Sequence, residues 1–481
     1  MNRTIYRWLC ATAAVALLAP ACSSSDEANP PYSPGSSGSA PSGGSGGSSG
    51  SAPSGGGSSG SGVTKPTFAA CVPDESAKVP ADRCTTDPAN TALPPCGQWQ
   101  KVELPGLVCG DGSPFKFFVN YSNTSNNLEI NFEPGGACWD YPSCSGEGGI
   151  RGAANPNGIA DDHMSNYMFL NLLRRDTEQN PAKDYNMVFV SYCTGDIHAG
   201  NNVVTYTGTN ADGPQTLTFH HEGHKNTLGV LDWIKQRFST IPKLLVTGCS
   251  AGGAGAILNY HSARTALGSG VQCSYLLDDS GPIFHADGPS KQLLDLIRTA
   301  WNTDSVIDSY DGQLPVSTGE LKADPGRISE AIAKQYPSDR LSLVAYQMDL
   351  NYSLYSYQRF FPGSTEADIH AKWWQDLEAT KKVYDTLPNF SYYLPYFRSD
   401  NCSHCVSIPP LGNPPFEPLD TSEVLLTPWA GSEIAEQMVD LRQFAVDLLD
   451  DTKPLKSYVQ DVQPSKAFSP DVSASCMEGG G

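Results

Sequence analysis

Ser250 stands inside Lys243-Leu-Leu-Val-Thr-Gly-Cys-Ser-Ala-Gly-Gly-Ala-Gly-Ala-Ile-Leu258, where an apolar run gives way to small residues in a helical pattern. A serine hydroxyl becomes a nucleophile when a turn lifts it clear of a sheet, a base takes its proton, and N–H groups receive the developing negative charge. Gly248 and Gly252 leave room for such a turn between strand and helix. Ser250 then falls at the start of the helix, so the Ala251 N–H has no intrahelical acceptor and is free to stabilise an oxyanion. A bare Gly-x-Ser-x-Gly recurs by chance; the strand before it and the helix after it give it weight.

Acyl transfer needs more than a nucleophile. Leu128-Glu-Ile-Asn-Phe-Glu133 alternates like a strand and runs into Pro134-Gly-Gly-Ala-Cys-Trp139. A glycine pair after a strand lets N–H groups converge on a small anion, which makes Gly135 and Gly136 candidates for the second half of an oxyanion hole. Losing one such donor costs about 3–4 kcal/mol of transition-state stabilisation. Acid and base should follow the nucleophile. Of the nine histidines, His261, His285, His370 and His404 do so. His261 falls within the helix after the turn and His370 in a helical segment over 365–380, whereas His404 lies in a late loop, Ser399-Asp-Asn-Cys-Ser-His-Cys405. For the acid, Asp278, Asp279 and Asp349 are not separable by spacing.

Five short motifs in one order, over about residues 95–410, resemble the pectin acetylesterase / Notum family of carboxylesterases. They are Phe132-Glu-Pro-Gly-Gly-Ala-Cys138, Tyr192-Cys-Thr-Gly-Asp196, Gly248-Cys-Ser-Ala-Gly-Gly253, Tyr275-Leu-Leu-Asp-Asp-Ser-Gly281 and Cys402-Ser-His-Cys405. The resemblance implies an α/β-hydrolase fold: a mostly parallel central sheet flanked by helices, with inserted loops and disulfides. It makes Ser250 the nucleophile and His404 the base, and it selects Asp349 as the acid, leaving Asp278 and Asp279 to a structural motif. The chain departs from the family where an aromatic residue usually sits in the oxyanion loop. Here Ala137 precedes Cys138, and Trp139 lies beyond it, so the acyl pocket differs and the substrate is not inherited.

The expectation is a two-step serine esterase with no cofactor and no metal, acting on acyl esters, O-acetyl first, of a carbohydrate or similar hydroxyl-bearing compound. Two rivals are a surface-displayed glycan-binding module or adhesin on a hydrolase scaffold, and a polyester depolymerase. His220-His-Glu-Gly-His224 would put two histidines on one helix face, but its spacing is not that of a zinc protease, and it reads as a polar loop or helix start. The net charge of −20, without a Lys/Arg cluster, excludes nucleic acid as a partner. The same acidity weighs against a polyanionic polysaccharide backbone.

Arg3 and Arg7 precede a short apolar stretch, Leu9 to Ala21, ending at Cys22. This reads as an export signal over 1–22 ending at a lipidated cysteine, as in a bacterial envelope lipoprotein, with plain secretion as the alternative. Residues 23–62, rich in Ser, Gly and Pro, read as a disordered tether with a reach of roughly 30 Å. Membrane contact is expected through the lipid alone. Residues 63–481 read as one catalytic domain, with insertions at 208–215 and 303–327, a buried strand at 186–192 and a last helix from Ser432 to about Asp450. Removing Cys10 with the signal and lipidating Cys22 leaves an even twelve of fourteen cysteines, the signature of disulfides in an exported protein. Cys138 and Cys144 are close enough to bridge, Cys71, Cys84, Cys96 and Cys109 would staple the start of the domain, and a bond from Cys402 or Cys405 would fix the His404 loop. The sequence says nothing of oligomeric state.

Overall fold

Short apolar runs separated by helical segments build a ten-stranded sheet in the computed structural model. The structure describes residues 63–64, 68, 71–146, 152, 154–167, 170–210, 212–398, 401–408 and 429–461. Cys22, the apolar leader and the Ser/Gly/Pro-rich segment lie outside the described residues. The strands are β1 (Val63–Thr64), β2 (Trp99–Val108), β3 (Pro114–Asn120), β4 (Leu128–Phe132), β5 (Asn186–Val190), β6 (Asn202–Asn210), β7 (Gly213–His221), β8 (Ile241–Cys249), β9 (Val271–Asp279), β10 (Arg340–Val344), β11 (Phe390–Leu394) and β12 (Lys456–Val459). The sheet runs β1-β12-β11-β10-β9-β8-β4-β5-β3-β2, while β6 and β7 pair as a separate hairpin. Neighbours from β5 through β12 are parallel, and β2–β3, β3–β5 and β1–β12 are antiparallel.

Parallel crossovers require helices on both faces, and both faces are then buried. The helices are α1 (Tyr141–Cys144), α2 (Gly223–Arg237), α3 (Ala251–Leu267), α4 (Lys291–Trp301), α5 (Thr303–Asp308), α6 (Thr318–Ala323), α7 (Ile328–Gln335), α8 (Leu350–Ser353), α9 (Glu366–Asp385) and α10 (Leu441–Leu448). Side chains alternate along each strand. Val246, Leu276 and Leu343 therefore enter one core with Ile257 and Tyr260 of α3. Leu245, Leu277 and Val344 enter the other with Phe444 and Leu448 of α10. Each such side chain contributes about 1.5–3 kcal/mol by leaving water. This mostly parallel sheet between helical layers, with a strand–nucleophile turn–helix at its centre, is an α/β-hydrolase fold.

Local details differ from the sequence pattern. The alternation in β4 reads as a half-exposed strand, yet Glu129 and Asn131 are buried. Asn131 Nδ2 donates to Glu129 Oε1 at 2.9 Å, and burial pushes the Glu129 carboxyl up to about 8, so it stays protonated at neutral pH. The last helix starts later than the sequence suggests, at Leu441, because the Asp440 side chain caps it by accepting the Gln443 N–H. Of the two insertions, 208–215 is the tip of the β6–β7 hairpin and 303–327 folds into α5 and α6. Among the described residues, disulfides pair Cys71–Cys273, Cys84–Cys96, Cys109–Cys193, Cys138–Cys144 and Cys249–Cys405. Only Cys84–Cys96 is a staple within the N-terminal segment; Cys71 and Cys109 reach out to later parts of the chain. Bonds of this kind belong to an oxidising compartment. Among the described residues no helix is long and apolar enough to cross a membrane.

Candidate active site

In a parallel sheet the strands' carboxyl ends share one edge, and ligands bind there. Ser250 follows β8, Asp349 and His404 lie beyond β10 and β11, and Gly135 and Gly136 lie beyond β4. Ser250 adopts φ 57° and ψ −122° as the cap of α3. A non-glycine residue in that region is strained, and such strain collects at functional sites. Ser280, Cys402, Ser403 and Cys405, all beside Ser250 or His404, also have φ between 50° and 59°. The turn fits because Gly252 lacks a side chain: a Cβ there would lie 2.0 Å from Phe132 O. That close approach sets the start of α3 against the end of β4, where the glycine loop begins.

The loop's carbonyls are tied down. Gly135 O accepts the Ala154 N–H at 3.1 Å, Gly136 O accepts the Tyr192 hydroxyl at 3.0 Å, and Cys138 O accepts Trp301 Nε1–H at 2.8 Å. A trans peptide points its N–H opposite to its carbonyl. Pinning the first two carbonyls therefore aims the N–H groups of Gly136 and Ala137 the other way. Gly135, at φ 142°, could not carry a Cβ, which would meet Ala154 Cβ at 2.3 Å. Beneath the loop the buried Glu133 carboxylate accepts from Tyr192 N–H at 2.7 Å, Asn155 Nδ2 at 2.9 Å and the Tyr167 hydroxyl, and pairs with His163 at 3.0 Å. Glu133 O accepts from His198 Nε2 at 3.0 Å. Burial holds His198 down at about 4, so its ring stays neutral in this role.

His404 is buried, and its Nδ1 donates to Asp349 Oδ2 at 2.7 Å. Asp349 Oδ1 accepts the Tyr352 N–H at 2.7 Å, the capping bond of α8. Burial works against a charged His404, but the facing Asp349 carboxylate outweighs it and raises the imidazole above its ordinary 6.5. The other late histidines are engaged elsewhere. His261 meets Tyr336 and Gln313, His285 meets Asp324, and His370 meets Gln347 O. Of the rival acids, Asp278 accepts Gly281 N–H at 3.1 Å. Burial, with Asp279 beside it, pushes its carboxyl far above the usual range. Asp279 accepts the N–H groups of Val406 and Ser407.

Ser250, Ala251, Gly135, Gly136, Ala137 and His404 line one cavity of about 520 Å³. Leu293, Leu294, Ile297 and Trp301 of α4 form an apolar wall of it. The sequence reading missed this wall, whose signal was the helical spacing of those four residues. Trp301 supplies a large ring at the cavity, where Ala137 leaves the loop without one. Trp139 packs on Tyr355 instead, at 5.5 Å between ring centroids. The 220–224 segment is no helix face: His220 and His221 end β7, and His224 opens α2. His221 is held by Thr194 O and the Tyr206 hydroxyl, each at 2.8 Å.

A serine at a strand–helix turn, a buried imidazole–carboxylate pair and a glycine loop beside a shared cavity form an arrangement chemically able to carry out acyl transfer. The chain is a carboxylic ester hydrolase that acts on acyl esters. Residues 99–317 match the model of the pectinacetylesterase family. The span includes Gly135, Gly136, Ser250 and Ala251 and stops before Asp349 and His404. Two crystal forms of the Wnt deacylase Notum from Drosophila are similar in structure, at 18% and 16% identity and TM-scores of 0.43 and 0.42. Each similarity covers 62% of this chain, and 83% and 86% of theirs. No curated protein matches the chain in sequence.

Proposed function

We propose that residues 63–481 form a serine carboxylesterase domain in which Ser250 attacks the ester carbonyl while His404 Nε2 takes its proton. Asp349 holds the imidazole in the tautomer that leaves Nε2 free and stabilises the imidazolium. The N–H groups of Ala251, Gly136 and Ala137 receive the oxyanion, with Gly135 giving the loop its shape and a further N–H. His404 returns the proton to the leaving alcohol, and water then repeats the cycle on the acyl-serine. The carrying observation is the 2.7 Å His404–Asp349 pair, whose imidazole lines the same cavity as Ser250 and the glycine loop.

The substrate class is an acyl ester of a carbohydrate or another hydroxyl-bearing compound. An acetyl group is small beside a cavity of about 520 Å³, and the apolar α4 wall favours acyl groups that extend beyond acetyl. Rates on p-nitrophenyl esters of rising chain length, beside Ser250→Ala, test both points. Serine-dependent hydrolysis that persists past acetyl is expected. A steep fall after acetyl assigns the cavity to the alcohol instead, and unchanged activity in Ser250→Ala removes the nucleophile. We also propose export, with Cys22 lipidated and residues 23–62 as a tether to the envelope. The support is the leader's residue pattern, together with the disulfides. Release of Cys22→Ala from the membrane fraction is the expected result.

A further inference from the structure

Asp279 touches both halves of the site. Its backbone oxygen accepts the Ser250 N–H at 2.8 Å. Its carboxylate, fully buried at the end of β9, accepts Val406 N–H at 2.9 Å on Oδ1 and Ser407 N–H at 2.8 Å on Oδ2. The Ser280 hydroxyl donates to Oδ1 at 3.0 Å and in turn accepts the Cys405 N–H at 3.1 Å. The three residues after His404 are thus docked on Asp279 and Ser280. The Cys249–Cys405 disulfide runs alongside, joining the residue before Ser250 to the residue after His404.

We infer that Asp279 is a positioning residue for the base: its carboxylate fixes the chain that carries His404 relative to Ser250, and its charge faces the same imidazole. The inference rests on the serine-esterase reading above. Asp349 bonds directly to His404, while Asp279 acts through the loop and through space. The groups facing His404 are Asp349, Asp279 and Arg398, with the Tyr352 ring at 6.5 Å. Those facing Asp279 are Asp278 on its own strand, Asp349 at the cap of α8 and His404 on the loop. Burial raises the Asp279 carboxyl above its ordinary value, and the hydrogen bonds from Ser280, Val406 and Ser407 pull it back toward the charged form. Asp349 is the larger source of the raised His404 value, Asp279 adds to it, and Arg398 opposes both. Asn in place of Asp279 turns an NH₂ toward one of the two main-chain N–H donors and deletes the charge.

The test is steady-state kinetics of the full chain on a soluble p-nitrophenyl ester across pH, with wild type, Asp279→Asn, Ser280→Ala and Ser250→Ala. Asp279→Asn should lower kcat by about 10- to 100-fold, the worth of one charge-assisted contact, with KM unchanged. The acid limb of kcat/KM should move to lower pH, because a base without its neighbouring anion loses its proton more readily. Ser280→Ala, which loosens the loop without removing charge, should lower kcat and leave the limb in place. A folded Asp279→Asn protein with wild-type kcat, or with an unmoved limb, overturns the inference. Where Asp279→Asn does not fold, wild-type kcat in Ser280→Ala overturns it and reduced kcat at unchanged KM supports it. Activity surviving in Ser250→Ala would instead remove the esterase reading itself.

Discussion

Asp349→Asn keeps the shape of the acid and removes its charge, and the structure dictates how the amide would sit. The carboxylate now uses both oxygens, one for Tyr352 N–H and one for His404 Nδ1–H, each at 2.7 Å. An amide has one oxygen, and the main-chain donor at the cap of α8 claims it. The NH₂ then faces Nδ1, which becomes an acceptor, and the ring proton moves to Nε2, the atom that must receive the Ser250 proton. Two losses combine: a charge-assisted hydrogen bond to the imidazolium, worth about 1.5–3 kcal/mol, and the return to the productive tautomer. Together they approach the roughly 10⁴-fold loss seen when a serine-protease triad suffers the same change. Wild type should also show an acid limb above 6.5, the ordinary histidine value from which Asp349 raises His404. Activity falls as pH drops through that limb because the base must be neutral, and in the variant the limb moves down. The assay is kcat on a p-nitrophenyl ester, with thermal melting to establish folding. A folded Asp349→Asn enzyme within tenfold of wild type refutes the reasoning.

Gly252→Ala would place a methyl 2.0 Å from Phe132 O; strain of this kind costs about 1–3 kcal/mol or more, so a lowered melting temperature and a collapsed rate are expected together. Glu129→Gln should stabilise the protein, with a gain that depends on pH. The unfolded carboxyl ionises near 4.5 and the folded one at about 8, so wild-type stability falls as pH rises between those values, by about 3 kcal/mol at pH 7. Denaturation midpoints at pH 5 and pH 8 should diverge for wild type and much less for the variant. Behind α4 lies a second cavity of about 70 Å³, which Leu294, Ile297 and Trp301 also line. Ile297→Ala should join it to the main cavity and shift the p-nitrophenyl ester preference to longer chains.

Much of the candidate site was legible because its proposed parts carry local signals. Ser250 sits in a turn whose glycines have a steric reason visible in the sequence, and Gly135 and Gly136 follow a strand with no side chains to obstruct the loop. The proposed acid was not legible by chemistry alone. Asp278, Asp279 and Asp349 differ in what their oxygens meet across the fold, and those partners lie 3 to 128 residues away. Family resemblance, rather than spacing, singled out Asp349. The α4 wall escaped for a different reason. Its apolar stripe is what any core helix shows, and only tertiary placement turns Leu293 and Ile297 toward a cavity.

The same topology explains why residues so distant in sequence meet. Because β4, β8, β9, β10 and β11 run parallel and adjacent, every chain segment leaving them emerges at one edge. The glycine loop and the serine turn leave neighbouring strands β4 and β8, so Gly252 can touch Phe132. The Asp349 and His404 segments leave β10 and β11, with β9 between them and Ser250. The proposed nucleophile and base therefore need a bridge across the end of β9, and Asp279 and Ser280 occupy that position. With the Cys249–Cys405 bond beside them, a loop holding Cys402, Ser403 and Cys405 at positive φ is fastened from two sides. Strain of about 1–3 kcal/mol per residue persists only where the surroundings over-determine it. A bridge by itself would not require Asp279 to be charged; movement of the acid limb in Asp279→Asn separates a mere anchor from an anion that also tunes the base.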